Sequence, residues 1–400
     1  MNILYLCDEY PPGQHGGIGT AVCLLARQMK KLGHNVVVAG LYPLGYGEED
    51  EFTDEGVKVY RLRLWLDSKW FEDQRSLKVR VARRLLKYTG ILQRDIERSL
   101  LRYKNALEQI IQKHQIDLVE MPDYNDYVKF CYSFVPFPKL SIPVVMKLHG
   151  SLTYFAREAN KKIPSAWFKM EQANLNQAVG VISVSKYTAA KSAAYFSYSN
   201  KIEIIYNGIN TDIPDSGISK KTLQVIFTGS LVEKKGIYQL AKAWNIVNSK
   251  KPDARLLVLG KGDQEKVMGL LNDEAKSTVS FKGHVPSGEL FNYLSESSIG
   301  VFPSYSESFG LAVLEAMLCG NAVINSKRTA GPELVDDHEN GLLIDPDNIE
   351  EIATAVLYLL DNPVICAGLA KKGVQKVKAC FDINNIAIQN QQFYNRILKS

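Results

Sequence analysis

Short runs rich in β-branched and aliphatic residues alternate with longer amphipathic stretches along almost the whole chain, and this alternation restricts the possible folds most. Strand–helix–strand order with short connections is typical of parallel sheets covered by helices on both faces. The pattern runs through the first half of the 400 residues and begins again after a polar stretch at 210–221. We therefore predict an α/β fold with two Rossmann-like domains of similar size.

The predicted elements form two similar sets. In the first half the strands are residues 2–7, 35–39, 57–64, 117–121, 143–148, 179–184 and 202–205, with helices at 18–32, 94–114, 164–178 and 186–195. In the second half the strands are residues 223–228, 255–259, 279–282, 299–301, 322–325 and 341–344, with helices at 236–248, 264–275, 286–296, 310–319, 349–361, 363–379 and 383–398. We predict domains over residues 1–210 and 211–380, and a C-terminal helix in 381–400 that packs back on the first domain.

The composition is that of a globular protein, with 46% hydrophobic and 23% charged residues. No stretch reaches the roughly 18 consecutive apolar residues of a membrane span, and the first residues lack the features of a signal peptide. The six cysteines are scattered without a C-x-x-C pair, so we expect reduced thiols in a cytoplasmic protein. These features argue against disulfide-rich secreted domains, integral membrane proteins, zinc ribbons and disordered chains.

One segment makes the chain basic. Residues 75–104 contain ten Lys or Arg and two acidic residues, a net charge of +8 against +5 for the whole chain, so the remainder is slightly acidic. Two interpretations stay open. In the first, the segment docks on an anionic membrane or a lipid-linked acceptor at the inner face of the plasma membrane. In the second, it forms a solvated helix face, and the aliphatic stems of its Lys and Arg side chains cover apolar surface. Nothing in the charge pattern indicates nucleic acid.

In parallel sheets, ligands bind where strands end and helix N-termini offer N–H groups to anions. The loop after the first strand, residues 8–19, has Gly16 and Gly17, which let a phosphate or sugar approach the backbone. It does not match G-x-G-x-x-G, and a tight strand–helix turn without ligand remains the alternative. The loop at 227–236 ends in Lys235 beside a predicted helix start, where a lysine could offset diphosphate charge or simply be solvated.

The most specific motif is the stretch 302–317. Glu307 lies in a loop after a Pro-containing turn, and Phe309-Gly310-Leu311 can open a helix. Glu315 then falls in the second turn of that helix, still near its ligand-binding end. Two carboxylates seven residues apart are common by chance, but two that flank a Phe-Gly helix start are not.

With these motifs the chain resembles the family-4 retaining glycosyltransferases (glycosyl transferases group 1), and the resemblance covers nearly its whole length. It also includes the strand-end sequence Lys147–Gly150, Asn207-Gly208-Ile209 and Asn340–Leu343, in the order usual for that family. The resemblance implies the GT-B fold, in which two Rossmann-like domains have parallel sheets facing each other across a cleft that holds a nucleotide-sugar donor.

The resemblance also implies roles for individual residues. Glu315 would accept hydrogen bonds from the ribose hydroxyls, and Glu307 would bind the transferred sugar. Lys235 and the N–H groups that open the helix would stabilise the diphosphate leaving group without a metal. His149 would contact the sugar, which gives His149, Lys235 and Glu307 as the catalytic candidates. The binding candidates are Gly16, Gly17, Gly229, Ser230, Lys235, Gly260, His284, Val285, Glu307, Ser308, Phe309, Gly310, Leu311 and Glu315.

One position departs from the family pattern. Family members usually have Gly-Arg-Leu where this chain has Gly229-Ser230-Leu231, and the arginine contacts the diphosphate. Ser230 offers a hydroxyl but no charge. Lys234, Lys235 or a residue of the first domain could compensate, and Lys235 keeps the family spacing.

Weaker candidates remain open. Asp345-Pro346-Asp347 resembles a metal-binding Asp-x-Asp of another glycosyltransferase fold but fits a turn better. Asp123 and Asp126, at a strand end, could contact an acceptor or cap a helix.

The resulting hypothesis is a metal-independent, retaining glycosyltransferase. It would move a hexose-type sugar from a nucleotide-sugar co-substrate, by default a UDP-sugar, to a hydroxyl of a glycan, glycolipid or small molecule, with no further cofactor. Two alternatives stay open, a nucleotide-sugar 2-epimerase of the same fold and a non-catalytic nucleotide-sugar-binding partner subunit.

Overall fold

The computed structural model describes most of the chain as two compact units. The described residues are 1–13, 15–42, 46–47, 49–63, 81, 85–86, 89–125, 127–128, 131, 133–212 and 217–399. The first unit comprises Met1–Gly208 together with Ile383–Ser400, and the second comprises Ile209–Asp382. Most of the basic segment before residue 89, Asp126, and part of the polar stretch at 210–221 lie outside the described residues.

The first unit is built on an eight-stranded sheet. Its strands are β1 (Asn2–Leu6), β2 (Asn35–Tyr42), β3 (Glu51–Asp54), β4 (Val57–Arg63), β5 (Leu118–Pro122), β6 (Val144–Leu148), β7 (Gly180–Ser183) and β8 (Ile202–Ile204). Their order is β3-β4-β2-β1-β5-β6-β7-β8, and every neighbouring pair is parallel except β3–β4. The order reverses direction between β1 and β5, so the loops that follow these two strands diverge to opposite sides of the sheet and leave a crevice.

Helices cover both faces of this sheet. They are Gly17–Lys31, Ile91–His114, Leu152–Glu158, Ser165–Gln177, Lys186–Phe196 and, from the end of the chain, Ile383–Lys399. Alternate strand residues enter different cores: Leu4 and Leu6 face one, whereas Ile3 and Tyr5 face the other. The C-terminal helix contributes Phe393 to the second of these cores.

The second unit contains a six-stranded parallel sheet. Its strands are β9 (Lys221–Thr228), β10 (Arg255–Leu259), β11 (Val279–Gly283), β12 (Ser297–Phe302), β13 (Ala322–Ser326) and β14 (Leu342–Ile344). The order β11-β10-β9-β12-β13-β14 is the 3-2-1-4-5-6 order of a dinucleotide-binding fold. The direction of winding changes between β9 and β12, which puts the expected ligand crevice at the carboxyl ends of these two strands.

Eight helices flank this sheet in the described part of the second unit, besides a short 3₁₀ turn at Glu233–Lys235. They are Ile237–Lys250, Gln264–Met268, Asp273–Lys276, Ser287–Glu296, Leu311–Leu318, Gly331–Leu334, Ile349–Asp361 and Pro363–Cys380. The single helix predicted at 264–275 is wrong. Asn272 interrupts it, because its side chain accepts a hydrogen bond from the N–H of Ala275 and so begins a new helix.

Among the described strands and α-helices, the sequence pattern misses three: strand β3 and the helices Leu152–Glu158 and Gly331–Leu334. Each is short, and β3, which pairs with β4 through the turn at Glu55-Gly56, is the edge strand of its sheet.

Among the described residues, no single helix has the length and hydropathy of a membrane span. Helices Ile349–Asp361 and Pro363–Cys380 have them only together, and the chain bends by 103° between the two.

Candidate functional site

Two loops of the second unit are held together at the carboxyl ends of β9 and β12, where the sheet order changes direction. The carbonyl of Lys234 accepts hydrogen bonds from the N–H groups of Tyr305, at 2.9 Å, and Ser306, at 3.3 Å. At Gly236, φ is +72°, and a Cβ atom there would lie 1.9 Å from the carbonyl oxygen of Pro303. Glycine is therefore required for the lysine loop to approach the loop that carries Glu307.

This approach brings two of the predicted catalytic side chains into contact. The ammonium of Lys235 donates a hydrogen bond to the carboxylate of Glu307, and each side chain retains about a quarter of its exposure. Partial burial strengthens the Coulomb attraction between the two charges, and the exposure that remains leaves the pair reachable by a ligand. Burial and the charge of Lys235 lower the pKa of neighbouring Lys234.

Helix Leu311–Leu318 begins directly beside this pair. Gly310 precedes it with φ of +115°, a conformation that favours glycine, and its carbonyl accepts the first hydrogen bonds, from Val313 and Leu314. Within the described chain no acceptor faces the N–H groups of Leu311 and Ala312. The start of the helix therefore presents unpaired donors and the positive end of its dipole.

Glu315 lies one turn further along the same helix and is half-buried. Burial raises the pKa of its carboxyl group to about 7. No described residue donates a hydrogen bond to it or forms an ion pair with it, in contrast to Glu307. A carboxylate removed from water without compensating donors is costly, so hydroxyl donors from a ligand would be bound strongly there.

Glycines let the loop after β9 lie against the loop after β10. Gly229 and Gly260 have φ of +152° and +144°, and a Cβ atom on Gly260 would lie 1.8 Å from the carbonyl oxygen of Gly229. Ser230, which lies between Gly229 and Leu231 in the sequence, is exposed. The remaining predicted binding residues follow β11: His284 is exposed, and Val285 is half-buried.

The predicted motif residues between Glu307 and the helix differ in environment. Ser308 is half-buried, whereas Phe309 is 3% exposed and its ring packs edge-on against Phe381, with ring centroids 5.8 Å apart. Phe309 therefore anchors the start of the helix in the core, and only its backbone can serve a ligand.

The Asp345-Pro346-Asp347 sequence forms a turn joined to an arginine. The N–H of Asp347 donates to the carboxylate of Asp345 at 3.1 Å, and Arg328 bonds both carboxylates. Among the described residues, no group of three or more His, Cys, Asp or Glu side chains has the arrangement of a metal site.

The glycine loop of the first unit already holds an anion of its own. The carboxylate of Glu9 accepts hydrogen bonds from the N–H groups of Gly16, at 3.1 Å, and Gly19, at 2.8 Å. A Cβ atom on Gly19 would lie 2.1 Å from the carbonyl oxygen of Glu9, so this glycine serves the loop's own packing. At Gly17, by contrast, a Cβ atom would meet nothing within 4 Å.

The carboxyl ends of β5 and β6 are joined by Asp123. Its carboxylate accepts hydrogen bonds from the N–H groups of His149, at 2.7 Å, and Gly150, at 3.1 Å. Burial raises the pKa of Asp123 to about 7, although these two N–H groups oppose the shift. The side chain is thus a buried positioning group, which the sequence could not distinguish from an acceptor contact or a helix cap.

His149 itself is 5% exposed, at the end of β6. Burial, and then the charge of Lys147, lower the pKa of its imidazole to about 3, so the ring is neutral at physiological pH. A neutral ring offers one donor and one acceptor to a ligand rather than a charge.

Two carboxylates that shape these loops were missed by the sequence analysis. Glu9 holds the glycine loop, and Glu171 accepts hydrogen bonds from Ser151, Leu152 and Thr153 at the start of the helix after His149. The carboxylate of Glu171 lies about twenty residues along the chain from the groups that donate to it, and no local motif marks such a contact.

Two family models match consecutive parts of the chain and together span residues 15–376. The model described as Glycosyltransferase Family 4 matches residues 15–213. The model described as Glycosyl transferases group 1 matches residues 208–376.

Curated proteins are similar over various lengths. The chain is 24% identical over 417 residues to a glycogen synthase of Mycobacterium tuberculosis, covering 98% of this chain and 94% of that protein. It is 28% identical over 268 residues to an uncharacterised glycosyltransferase of Methanocaldococcus jannaschii, covering 66% of this chain and 72% of that protein. It is also 28% identical over 216 residues to a GDP-mannose-dependent mannosyltransferase of Corynebacterium glutamicum that acts on a monoacylated phosphatidylinositol monomannoside, covering 49% and 56%.

Solved structures are similar over the whole chain. The sucrose-phosphate synthase of Thermosynechococcus elongatus has a TM-score of 0.76 at 20% identity, with 100% of both chains covered. The HepE protein of Anabaena, solved in complex with UDP and glucose, has a TM-score of 0.68 at 17% identity, with 99% of this chain and 100% of that chain covered. At these identities the likeness establishes a shared fold.

Proposed function

Since this chain belongs to the glycosyltransferases of family 4 and group 1, with their GT-B fold, we propose that it transfers a hexose-type sugar from a nucleoside diphosphate to a hydroxyl acceptor. Its classification as a glycosyltransferase enzyme follows from the family. The donor class, the stereochemistry and the independence from metals are our proposals.

The observation that carries the proposal is the Lys235–Glu307 ion pair beside the open start of helix Leu311–Leu318. It combines a cation, a carboxylate and unpaired N–H groups at the carboxyl ends of β9 and β12. A sugar diphosphate needs this combination, because its phosphates are anionic and its sugar hydroxyls are hydrogen-bond donors.

Binding of the donor would break the ion pair and give each of its two side chains a new partner. The diphosphate would take the ammonium of Lys235 and the N–H groups of Leu311 and Ala312. Glu307, released from Lys235, would then accept hydrogen bonds from hydroxyls of the transferred sugar. As the bond from the sugar to the phosphate breaks, negative charge grows on the phosphate, and the same cation and N–H groups stabilise it most in the transition state.

Glu315 would hold the ribose. Two vicinal hydroxyls can donate to the two oxygens of one carboxylate, and this carboxylate has no internal donor among the described residues. We expect loss of Glu315 to weaken donor affinity more than turnover, and loss of Glu307 to lower turnover more than affinity.

We propose retention of configuration through attack on the same face as the leaving group. The leaving phosphate oxygen would accept the proton of the acceptor hydroxyl as the new glycosidic bond forms and the old bond breaks. Neither glutamate is assigned as a nucleophile, because each has a binding role. Positive charge from Lys235 and the helix start supports a mechanism without a metal.

Donor and acceptor are named by class. UDP is the proposed default base, and the UDP complex of the structurally similar HepE protein supports it. The acceptor would be a hydroxyl of a glycan or a lipid-linked glycan, with His149 of the first unit contacting sugar. We propose a cytoplasmic enzyme that works on acceptors at the membrane.

The first experiment is a thermal-shift panel of UDP-, GDP-, ADP- and TDP-sugars, with and without a chelator. A donor at a hundred times its dissociation constant adds about 2.7 kcal/mol to the free energy of unfolding. We expect one base to raise the melting temperature selectively, with and without chelator alike. E315Q should remove most of this shift, whereas E307Q should keep it and lose transfer.

Other outcomes would contradict parts of the proposal. A shift that the chelator abolishes would contradict metal independence. Conversion of the donor sugar without an acceptor would favour an epimerase, and donor binding without hydrolysis or transfer would favour a binding subunit. No shift with any donor, together with unchanged behaviour of E307Q and E315Q, would remove the site assignment.

A further inference from the structure

Helix Ile91–His114 of the first unit has one face in the core and one in solvent. Its buried residues include Ile96, Leu100 and Leu107, which join the core beneath the sheet. The opposite face carries Ile91, Arg94, Arg98 and Leu101, which follow one another at intervals of three or four residues. These four therefore form a single exposed stripe.

Large apolar side chains are exposed along this stripe to an unusual degree. Ile91 is 50% exposed and Leu101 is 60% exposed. Phe134, 51% exposed, follows Ser133, whose N–H and hydroxyl bond the side chain of Gln93 near the start of this helix. Of the seven large apolar residues that are at least half exposed in the described chain, five lie between residues 81 and 134. Such clustering marks an interaction surface, whereas single exposed apolar residues do not.

The charges between these apolar residues are mainly positive. Arg94 and Arg98 are exposed, and no carboxylate in the described chain pairs with either. Two acidic residues, Asp95 and Glu97, lie between them in the sequence, and the carboxylate of Glu97 accepts a hydrogen bond from Gln93. The sequence has six further Lys or Arg between residues 75 and 87, all of which lie outside the described residues. The partner that fits this surface therefore has a negatively charged outer layer and an apolar interior.

We propose that Ile91, Arg94, Arg98, Leu101 and Phe134 form a docking surface for an anionic lipid bilayer. The apolar side chains would enter the boundary between headgroups and acyl chains, while the arginines would remain among the lipid phosphates. A bilayer fits this mixture better than nucleic acid, because three bulky apolar groups would remain exposed against a phosphate backbone. The proposal rests on the proposed function in one respect, since it would bring the enzyme to lipid-linked acceptors.

The test is flotation of the full chain with two kinds of vesicle. One is phosphatidylcholine alone, and the other has equal parts of phosphatidylcholine and phosphatidylglycerol. We expect binding to the anionic vesicles only, weakening as salt is raised. R94E/R98E should weaken partitioning by at least about tenfold, since each exposed cation near the surface contributes about a fivefold factor. L101D should weaken it as well.

Matched controls separate this surface from general charge and hydrophobicity. K161E/K162E makes the same charge change at exposed positions of the same unit, and V179D makes the same polar change at another exposed apolar residue. Both should bind like the parent protein, and melting temperatures of all variants should confirm that they fold.

Several results would overturn the proposal. They are absence of binding to anionic vesicles, salt-insensitive partitioning, or equal losses in the face variants and the controls. A dimer that L101D disrupts, without vesicle binding, would assign this face to a second copy of the chain. Donor hydrolysis without vesicles should be unchanged in R94E/R98E, and Lys235→Met should lose hydrolysis but still float. These two readouts distinguish failure of the docking surface from failure of the donor site.

Discussion

The polar groups at the carboxyl ends of the strands, called here the first edge in the first unit and the second edge in the second unit, differ between the two sheets in whether they already have hydrogen-bond partners. In the first unit, the donors at the sheet edge are largely engaged by internal carboxylates: Glu9 holds two N–H groups of the glycine loop, and Asp123 holds two at the end of β6. In the second unit, the N–H groups of Leu311 and Ala312 and the carboxylate of Glu315 have no partner among the described residues.

The difference separates groups that maintain shape from groups that await a ligand. A buried polar group that is already bonded contributes to folding and has little left to offer a ligand. An unpaired group destabilises the free protein and gains most when a ligand arrives. We therefore expect substitutions at the first edge to affect mainly stability, and those at the second edge to affect mainly binding and turnover.

The largest expected effect belongs to the second edge. Lys235→Met removes the cation that would stabilise the leaving diphosphate, and we expect kcat to fall by about a hundredfold to a thousandfold. The melting temperature should change little, because the lysine is partly exposed. The matched control is Lys234→Met in the same loop, which should retain most activity. Equal losses in the two variants would mean that the loop acts by general charge rather than through Lys235.

The next effect belongs to the first edge. Asp123→Asn keeps the shape of the side chain, but its amide group cannot accept both N–H groups of His149 and Gly150. We expect a loss of about 1–3 kcal/mol in the free energy of unfolding, measured by urea denaturation. Asp117→Asn is the control, since Asp117 accepts the N–H of Asn2 at an exposed position. Unchanged stability with lost activity would assign Asp123 to the reaction itself and weaken the contrast between the edges.

Donor affinity should depend on pH through Glu315. In the free protein burial raises the pKa of this carboxyl group to about 7, so it is partly protonated at neutral pH. Ribose hydroxyls favour the ionised form and would lower the pKa in the complex. Affinity should therefore fall as pH drops below 7, by up to about tenfold per pH unit, and binding near pH 7 should release protons. Calorimetry in buffers of different ionisation enthalpy measures this release, and E315Q should abolish it.

The smallest expected effect concerns Ser230. This exposed side chain lies in the loop after β9, at the position where the family resemblance implies arginine, so Ser230→Arg adds a cation at the carboxyl end of that strand without disturbing the core. We expect donor affinity to rise by a few fold, in the range of an exposed charge pair, about 0.2–1 kcal/mol. Ser277→Arg, at the exposed end of a helix in the same unit, controls for added charge. A loss of affinity on Ser230→Arg would mean that the donor lies differently here.

Local sequence patterns predicted the regular elements because parallel strands and amphipathic helices have distinct periods. Strand β10, predicted at 255–259, and helix Ile349–Asp361, predicted at 349–361, have the expected bounds. The helix at 264–275 failed because the hydropathy period continues through a break set by one capping side chain, Asn272. Strand β3 was missed because its four residues are too few to show the period of a strand.

The contacts of the candidate site were harder to predict, because they join residues that are far apart in the sequence. The approach of Lys235 to Glu307 was expected only from the resemblance, since 72 residues separate them and the contact depends on Gly236 meeting Pro303. The role of Glu9 could not be predicted, because a glutamate in a glycine-rich loop has no signature that distinguishes an internal capping group from an exposed one. Hydrogen bonds between distant segments are a property of packing, which one sequence does not display.

The C-terminal helix has a consequence for how the protein is made. Ile383–Lys399 belongs to the first unit, where one face of the helix, including Phe393 and Tyr394, is buried in a core with strands from the beginning of the chain. During synthesis, the ribosome releases the whole second unit before it releases this helix. The first unit must therefore wait, with an apolar groove uncovered, until residues 383–399 emerge. A nascent chain stalled or cut before residue 383 would expose that groove to chaperones and proteases.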